Sequence, residues 1–238
     1  MNSELLEQLS RMVQGHEIWL ENPTVKEGEI TVELSYGHNM VTDGVPPEHM
    51  VNPVVYSPNG SRFKPQALKG EDCYIIHFPA HIEGNYTLLV DSSAVWNKNP
   101  EGWAMGPKFK FKDVTYSGSY HQMAKKIVPV GKVNGLGVAV VHGILELIPE
   151  DTSLVLDKTF MVQVLYEGRP LANESFKAYS KRNKKENMLT TDANGKVQVP
   201  IDHEGEWMFL VRHRDETKKV DEEYDETVFV TTLVMETR

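Results

Sequence analysis

Hydrophobic positions change period once along the chain. Over Ser3–Val13 the apolar residues Leu5, Leu6, Leu9, Met12 and Val13 form one stripe behind Ser3, a residue type that caps helix N-termini, so a short amphipathic helix is predicted there. After Gly15 the period becomes two. In Glu29–Tyr36, Ile30, Val32 and Leu34 alternate with Thr31, Glu33 and Ser35, which marks a strand with one buried face. Runs rich in Val, Ile, Thr, Tyr and Phe predict further strands over His16–Glu21, Val51–Ser57, Asp72–Phe78, Gly84–Asp91 and Tyr120–Val130. Gly, Pro, Asn and Asp punctuate them. Ser92–Gly118 breaks the pattern. It holds Trp96, Pro100, Trp103 and Pro107, and it reads as a long ordered loop covering one edge or end of the first domain, with Trp103 largely buried.

The same period continues past a polar link. Leu145–Pro149 leads into Glu150-Asp151-Thr152-Ser153, which places a domain boundary near residue 150. Beyond it, strands are predicted over Thr159–Tyr166, Ser175–Ser180, Lys196–Ile201, Trp207–Arg214 and Val228–Met235. Turns fall at Glu167-Gly168-Arg169-Pro170 and Asp192-Ala193-Asn194-Gly195. The expected fold is all-β: two β-sandwich domains of immunoglobulin or prealbumin type with a short N-terminal helix. Residues 1–15 are the helix or a leader remnant, 16–149 the first sandwich and 150–238 the second.

Composition narrows the function classes. With 40% hydrophobic and 25% charged residues among 238, the chain has enough apolar material for a sizeable core. A formal net charge of −9 argues against a nucleic-acid partner, and Lys181-Arg182-Asn183-Lys184-Lys185 is a single short basic patch that reads as a solvated turn. The single cysteine, Cys73, excludes an internal disulfide and a thiolate metal cluster, and reads as a small core residue. No apolar run reaches the roughly 18 residues of a membrane span, and Met1–Gly15 lacks the basic leader and apolar run of a signal peptide.

The chemistry-bearing motifs are few. Gly131–Gly137 is glycine-rich but lacks phosphate-loop spacing and reads as a hairpin. The acidic run Asp221–Glu226 reads as a solvated loop. No nucleophile–base arrangement appears, so the chain is not expected to be an enzyme. Nine histidines are dispersed along the chain, several at predicted strand ends. His16 opens the first strand and His38 closes the second. If these pair as an antiparallel hairpin, both imidazoles lie at the same end, as a divalent transition metal requires. His77 and His121, near other strand ends, are added on chemistry as candidates to complete that site.

The order of motifs carries a resemblance. His16-Glu17-Ile18-Trp19-Leu20-Glu21 is followed by Val32-Glu33-Leu34-Ser35-Tyr36-Gly37-His38, then Gly102-Trp103-Ala104-Met105-Gly106-Pro107 and Met123–Gly131. Gly143–Pro149, Tyr166–Leu171, Thr191–Gly195 and Gly205-Glu206-Trp207-Met208 complete it. This succession, over residues ~16–238, resembles the accessory metal-binding proteins, or periplasmic components, of nickel/cobalt energy-coupling-factor uptake systems. The resemblance implies an extracytoplasmic β-sandwich protein handling Ni(II) or Co(II); imidazole chemistry by itself also accepts Zn(II) and Cu(II). It also implies His16 and His38 as matching histidines, and transporter subunits in the membrane as partners. In many members the first histidine stands at the processed N-terminus. Here fifteen residues precede His16, so a free amine beside it requires trimming. The second half resembles transthyretin-like or carboxypeptidase-regulatory sandwiches. There Asp192 and Asn194 suggest calcium, although an Asp/Asn-Gly turn needs the same residues for its backbone. The contrasting reading is a structural or adhesive β-sandwich that binds a glycan or protein through the Trp96–Trp103 loop.

Overall fold

A computed structural model describes residues 11–133, 135–136 and 143–237. The chain is all-β. The first half contributes β1 (Glu17–Lys26), β2 (Glu29–His38), β3 (Val41–Thr42), β4 (Asn52–Tyr56), β5 (Arg62–Phe63), β6 (Gln66–Lys69), β7 (Tyr74–Pro79), β8 (Gly84–Asn99), β9 (Gly102–Met105) and β10 (Tyr116–Val130). The second contributes β11 (Leu145–Pro149), β12 (Lys158–Tyr166), β13 (Arg169–Pro170), β14 (Ser175–Ser180), β15 (Lys185–Thr190), β16 (Lys196–Ile201), β17 (Glu206–Asp215) and β18 (Glu226–Glu236).

These strands form three sheets. A nine-stranded sheet runs β15-β14-β17-β18-β10-β8-β4-β5, with β9 on β8. One smaller sheet is β1-β2-β7-β6 with β3 on β2, and the other is β11-β12-β13 with β16 on β12. Period-two patterning explains the layering. Ile30, Val32 and Leu34 on β2 are buried against Leu88, Val90, Trp96, Tyr120 and Ala124 of the large sheet. Phe160, Val162 and Val164 on β12 pack with Val197, Val199 and Ile201 on β16 against Phe176, Phe209, Val211 and Phe229.

The two cores use both faces of the central strands. β18 sends Val228, Val230 and Val234 into the first core and Phe229, Leu233 and Met235 into the second. That is why its sequence reads apolar almost throughout, as a strand buried on both faces does. β18 pairs antiparallel with β17 and parallel with β10, so a strand from each half lies side by side in one sheet. β11 ends just before the polar link and pairs with β12, within the sheet of the C-terminal half.

Several expectations change. Ser92–Asn99 is not loop but the second half of β8, paired with β10 as far as Lys98 opposite Tyr116. Trp96 is fully buried, and its indole N–H donates to Met12 Sδ at 2.9 Å. Trp103 lies on β9 and is only half-buried, edge-on to Tyr116 with the Lys98 ammonium 5.6 Å from its ring centre. The Pro and Gly punctuation misleads there because it belongs to a hairpin tip and the bend after it, not to one continuous loop. The predicted helix over Ser3–Val13 lies mostly outside the described residues, and Arg11–Gln14 form a single 3-10 turn that seats Met12 in the core. The Gly131–Gly137 hairpin lies in part outside the described residues. Among those described, no helix is long and apolar enough to cross a membrane.

Candidate metal site

The antiparallel register of β1 and β2 sets Glu17 opposite Gly37. The residues just beyond, His16 and His38, therefore meet at one end of the ribbon. Their ring centroids are 5.9 Å apart with planes inclined by 27°. His38 is exposed, whereas the His16 side chain is only 17% accessible. Gln122 of β10 donates through Nε2 to the His16 carbonyl at 2.5 Å and anchors that backbone on the large sheet. The Tyr36 ring lies 5.6 Å from the His16 ring, and burial pushes its phenol above the ordinary range.

A tight turn brings a carboxylate back to His16. Asn39 and Met40 both have positive φ, 51° and 56°, the handedness of a two-residue primed turn. β3 then returns along β2, with Gly37 opposite Thr42 and His38 opposite Val41. Gly37 is required there, since a Cβ would lie 2.0 Å from the Val41 carbonyl oxygen. The Asp43 N–H donates to Tyr36 O at 2.8 Å, which delivers the Asp43 side chain to His16. His16 Nε2 lies 3.0 Å from Asp43 Oδ2, and the Arg11 guanidinium donates to the same oxygen. The bond to His16, then that to Arg11, holds the Asp43 carboxyl below the usual carboxylate range.

Glu17 is the second carboxylate, and it is fully buried. Its Oε1 accepts the Asn39 N–H at 2.8 Å. Lys177, from β14 in the other half, places its ammonium 4.0 Å from that oxygen and donates to Asn39 Oδ1 at 2.7 Å. Oε2 has no hydrogen-bond partner and lies 3.4 Å from His38 Nδ1. A buried carboxyl oxygen without a hydrogen bond is costly, and His38 Nδ1 is the polar group beside this one. The described residues contain no ready-made group of three or more His, Cys, Asp or Glu side chains able to hold a metal. The arrangement is a pair of imidazoles, each with its own carboxylate.

His77 and His121 do not join the pair. His77 on β7 lies opposite Thr31, seven positions along β2 from His38, or about 23 Å at strand rise. His121 neighbours Gln122, but successive side chains leave opposite faces of a strand. Its ring packs 5.4 Å from Phe229 on the far side of the sheet, where burial lowers its basicity against the opposing pull of Asp91. Sequence reasoning missed Glu17, Asp43, Arg11 and Lys177. Glu17 was legible as the residue next to His16, but the other three depend on a turn type and on the packing of the two halves. At the suggested calcium position, Asp192 Oδ1 accepts the N–H groups of Asn194 and Lys196, both at 2.8 Å, and so closes the turn itself. Trp96, needed for an aromatic binding loop, has no exposed surface.

Comparison with known proteins adds a family. The family profile described as "Domain of unknown function (DUF4198)" matches residues 13–215. No curated protein matches the chain. Among solved structures, native alpha-2-macroglobulin from Escherichia coli, spanning domains MG0-NIE-MG1, aligns at 10% identity and a TM-score of 0.25, covering 98% of this chain and 100% of that one. The fibronectin(III)-like modules of Clostridium thermocellum CbhA align at 12% identity and a TM-score of 0.22, covering 92% of this chain and 94% of theirs.

Proposed function

We propose that this chain, which belongs to the family described as Domain of unknown function (DUF4198), binds a divalent transition metal as an extracytoplasmic accessory protein of a metal uptake system. The observation that carries the reading is the His16–His38 pair, two imidazoles 5.9 Å apart at one end of a sheet. The residues suit the cargo. Imidazole nitrogen with nearby carboxylate is a borderline donor set that accepts Ni(II), Co(II), Zn(II) and Cu(II) alike. The orphaned Glu17 Oε2 beside the pair fits a site designed around positive charge. The choice of nickel or cobalt, the periplasmic setting and the transporter partner come from the sequence resemblance. Exposure of His38 leaves one face of the pair open to an incoming ion and to a partner that takes it onward.

The test is a calorimetric titration of Ni(II) or Co(II) into wild type, His16→Ala and His38→Ala at pH 7.5 and 5.5. Stoichiometric binding at pH 7.5 is expected, lost in either variant. Binding weakens at pH 5.5, because protonation of an imidazole, ordinarily near ~6.5, removes the lone pair that ligates. Surface carboxylates remain charged at that pH, so binding that persists there in both variants refutes the assignment.

A further inference from the structure

Each imidazole of the pair turns one ring nitrogen to an oxygen. His16 Nε2 lies 3.0 Å from Asp43 Oδ2. A carboxylate oxygen only accepts, so this nitrogen carries the hydrogen. In the neutral ring the lone pair is then on Nδ1. His38 is arranged the opposite way. Its Nδ1 lies 3.3 Å from the Gly15 carbonyl oxygen and 3.4 Å from Glu17 Oε2. Both are acceptors, so Nδ1 carries the hydrogen and Nε2 the lone pair.

The two carboxylates are held in different ways. Arg11 pins Asp43 beside His16. Glu17 has no exposed surface; Asn39 fixes one oxygen, and the other, without a hydrogen-bond partner, faces His38. Lys177 stands 4.0 Å from the fixed oxygen and supplies compensating charge on the side away from His38.

We propose that Asp43 at His16, and the Gly15 carbonyl with Glu17 beside it at His38, preset the two histidines in opposite tautomers, with Nδ1 of His16 and Nε2 of His38 as the donor atoms. The consequence for metal capture rests on the reading above; the tautomers themselves do not. Such pairing fixes ring orientation before a ligand arrives. It also gives the orphaned Glu17 oxygen a purpose. It is the buried acceptor that the Nδ1–H of His38 faces at 3.4 Å.

Two-bond proton–nitrogen correlation spectra of the histidine rings read the tautomers directly, on the full chain at pH 8 without metal. The expected result is Nε2–H at His16 and Nδ1–H at His38. Nδ1–H at His16, or the averaged mixture of free histidine at both, overturns the proposal. Asp43→Ala is expected to release His16 to the averaged mixture. Asp43→Asn, whose amide oxygen still accepts, restores the Nε2–H form, which a merely structural role does not predict. Titration with Co(II) or Ni(II) chloride then reads the consequence: about 10–100-fold weaker binding for Asp43→Ala and Glu17→Gln, with circular dichroism confirming the fold. Asp43 is 42% accessible, so its variants keep the test alive should Glu17→Gln misfold. Unchanged affinity in both, with binding abolished by His16→Ala, overturns the positioning role and leaves the metal reading standing. No binding by wild type, with the tautomers as stated, overturns the metal reading and supports the tautomer assignment.

Discussion

At the scale of single residues, Asp215 is a carboxylate held by three hydrogen bonds. Asp215 accepts from Thr217 Oγ1 at 2.6 Å, from Thr217 N at 2.8 Å and from the Tyr166 hydroxyl at 2.6 Å. These bonds, that from the Thr217 side chain foremost, bring its carboxyl down to about 2. A carboxyl lower in the folded chain than in the unfolded one stabilises the fold above the ordinary carboxylate range, and that contribution is lost as pH falls through the folded value. Asp43 adds in the same direction. The melting temperature should therefore decline between about pH 4 and pH 2. Tyr166→Phe removes one donor, raises the Asp215 carboxyl toward its ordinary value and shallows that decline, as differential scanning calorimetry across the acid range will show. An equally steep decline in the variant rules out this bond as a source of acid sensitivity.

Secondary-structure elements carry the site through one hairpin. β2 and β3 are joined by Asn39 and Met40, both in the left-handed region, and the hairpin closes only because Gly37 lets the Val41 carbonyl come close. Residues with side chains seldom adopt positive φ, and Met40 does so with its side chain buried. Gly37→Ala is expected to destabilise the chain by about 1–3 kcal/mol through that backbone clash. It should also pull Asp43 away from His16. Chemical denaturation measures the first effect. The second is read from the His16 ring nitrogens, which lose their hydrogen-bonded signature while His38 is less affected. Of this hairpin only the alternation of β2 was legible in sequence. β3 is two residues long, and a period-two pattern needs more positions than that to show.

Across the whole molecule the two halves are tied through the large sheet. β10 and β18 pair in parallel from Gly118 with Glu226 to Lys125 with Leu233. The buried Lys125 ammonium donates to Leu147 O at 3.2 Å and lies 3.5 Å from Glu146 Oε1, both on β11. A fragment of residues 143–238 retains the second core apart from Met123. It is expected to fold, with a β spectrum by circular dichroism. It should also melt lower than the full chain, having lost the Lys125 contact and the cover on β18. The bared edge of β18, apolar on both faces, is a template for pairing with another strand. Size-exclusion chromatography should therefore show stronger self-association for the fragment than for the full chain. A disordered fragment argues against an independent C-terminal core, and a stable monomer argues against the importance of the β10–β18 pairing.

Sequence by itself determined whatever depends on neighbours along the chain. Alternation in Glu29–Tyr36 set which face of β2 is buried, and the ends of two adjacent strands set His16 beside His38, because antiparallel pairing follows from chain direction. Tertiary structure alone decided the rest. Ser92–Asn99 extends β8 because β10 lies alongside it as a partner. His121 faces away from His16 because one strand serves two cores, and its facing is set by which core each side meets. Glu17 is buried against Lys177, 160 positions on, because the large sheet brings β14 over the end of β1. Local periodicity encodes which way a side chain points, whereas the charge environment of a site is set by residues that only folding makes neighbours.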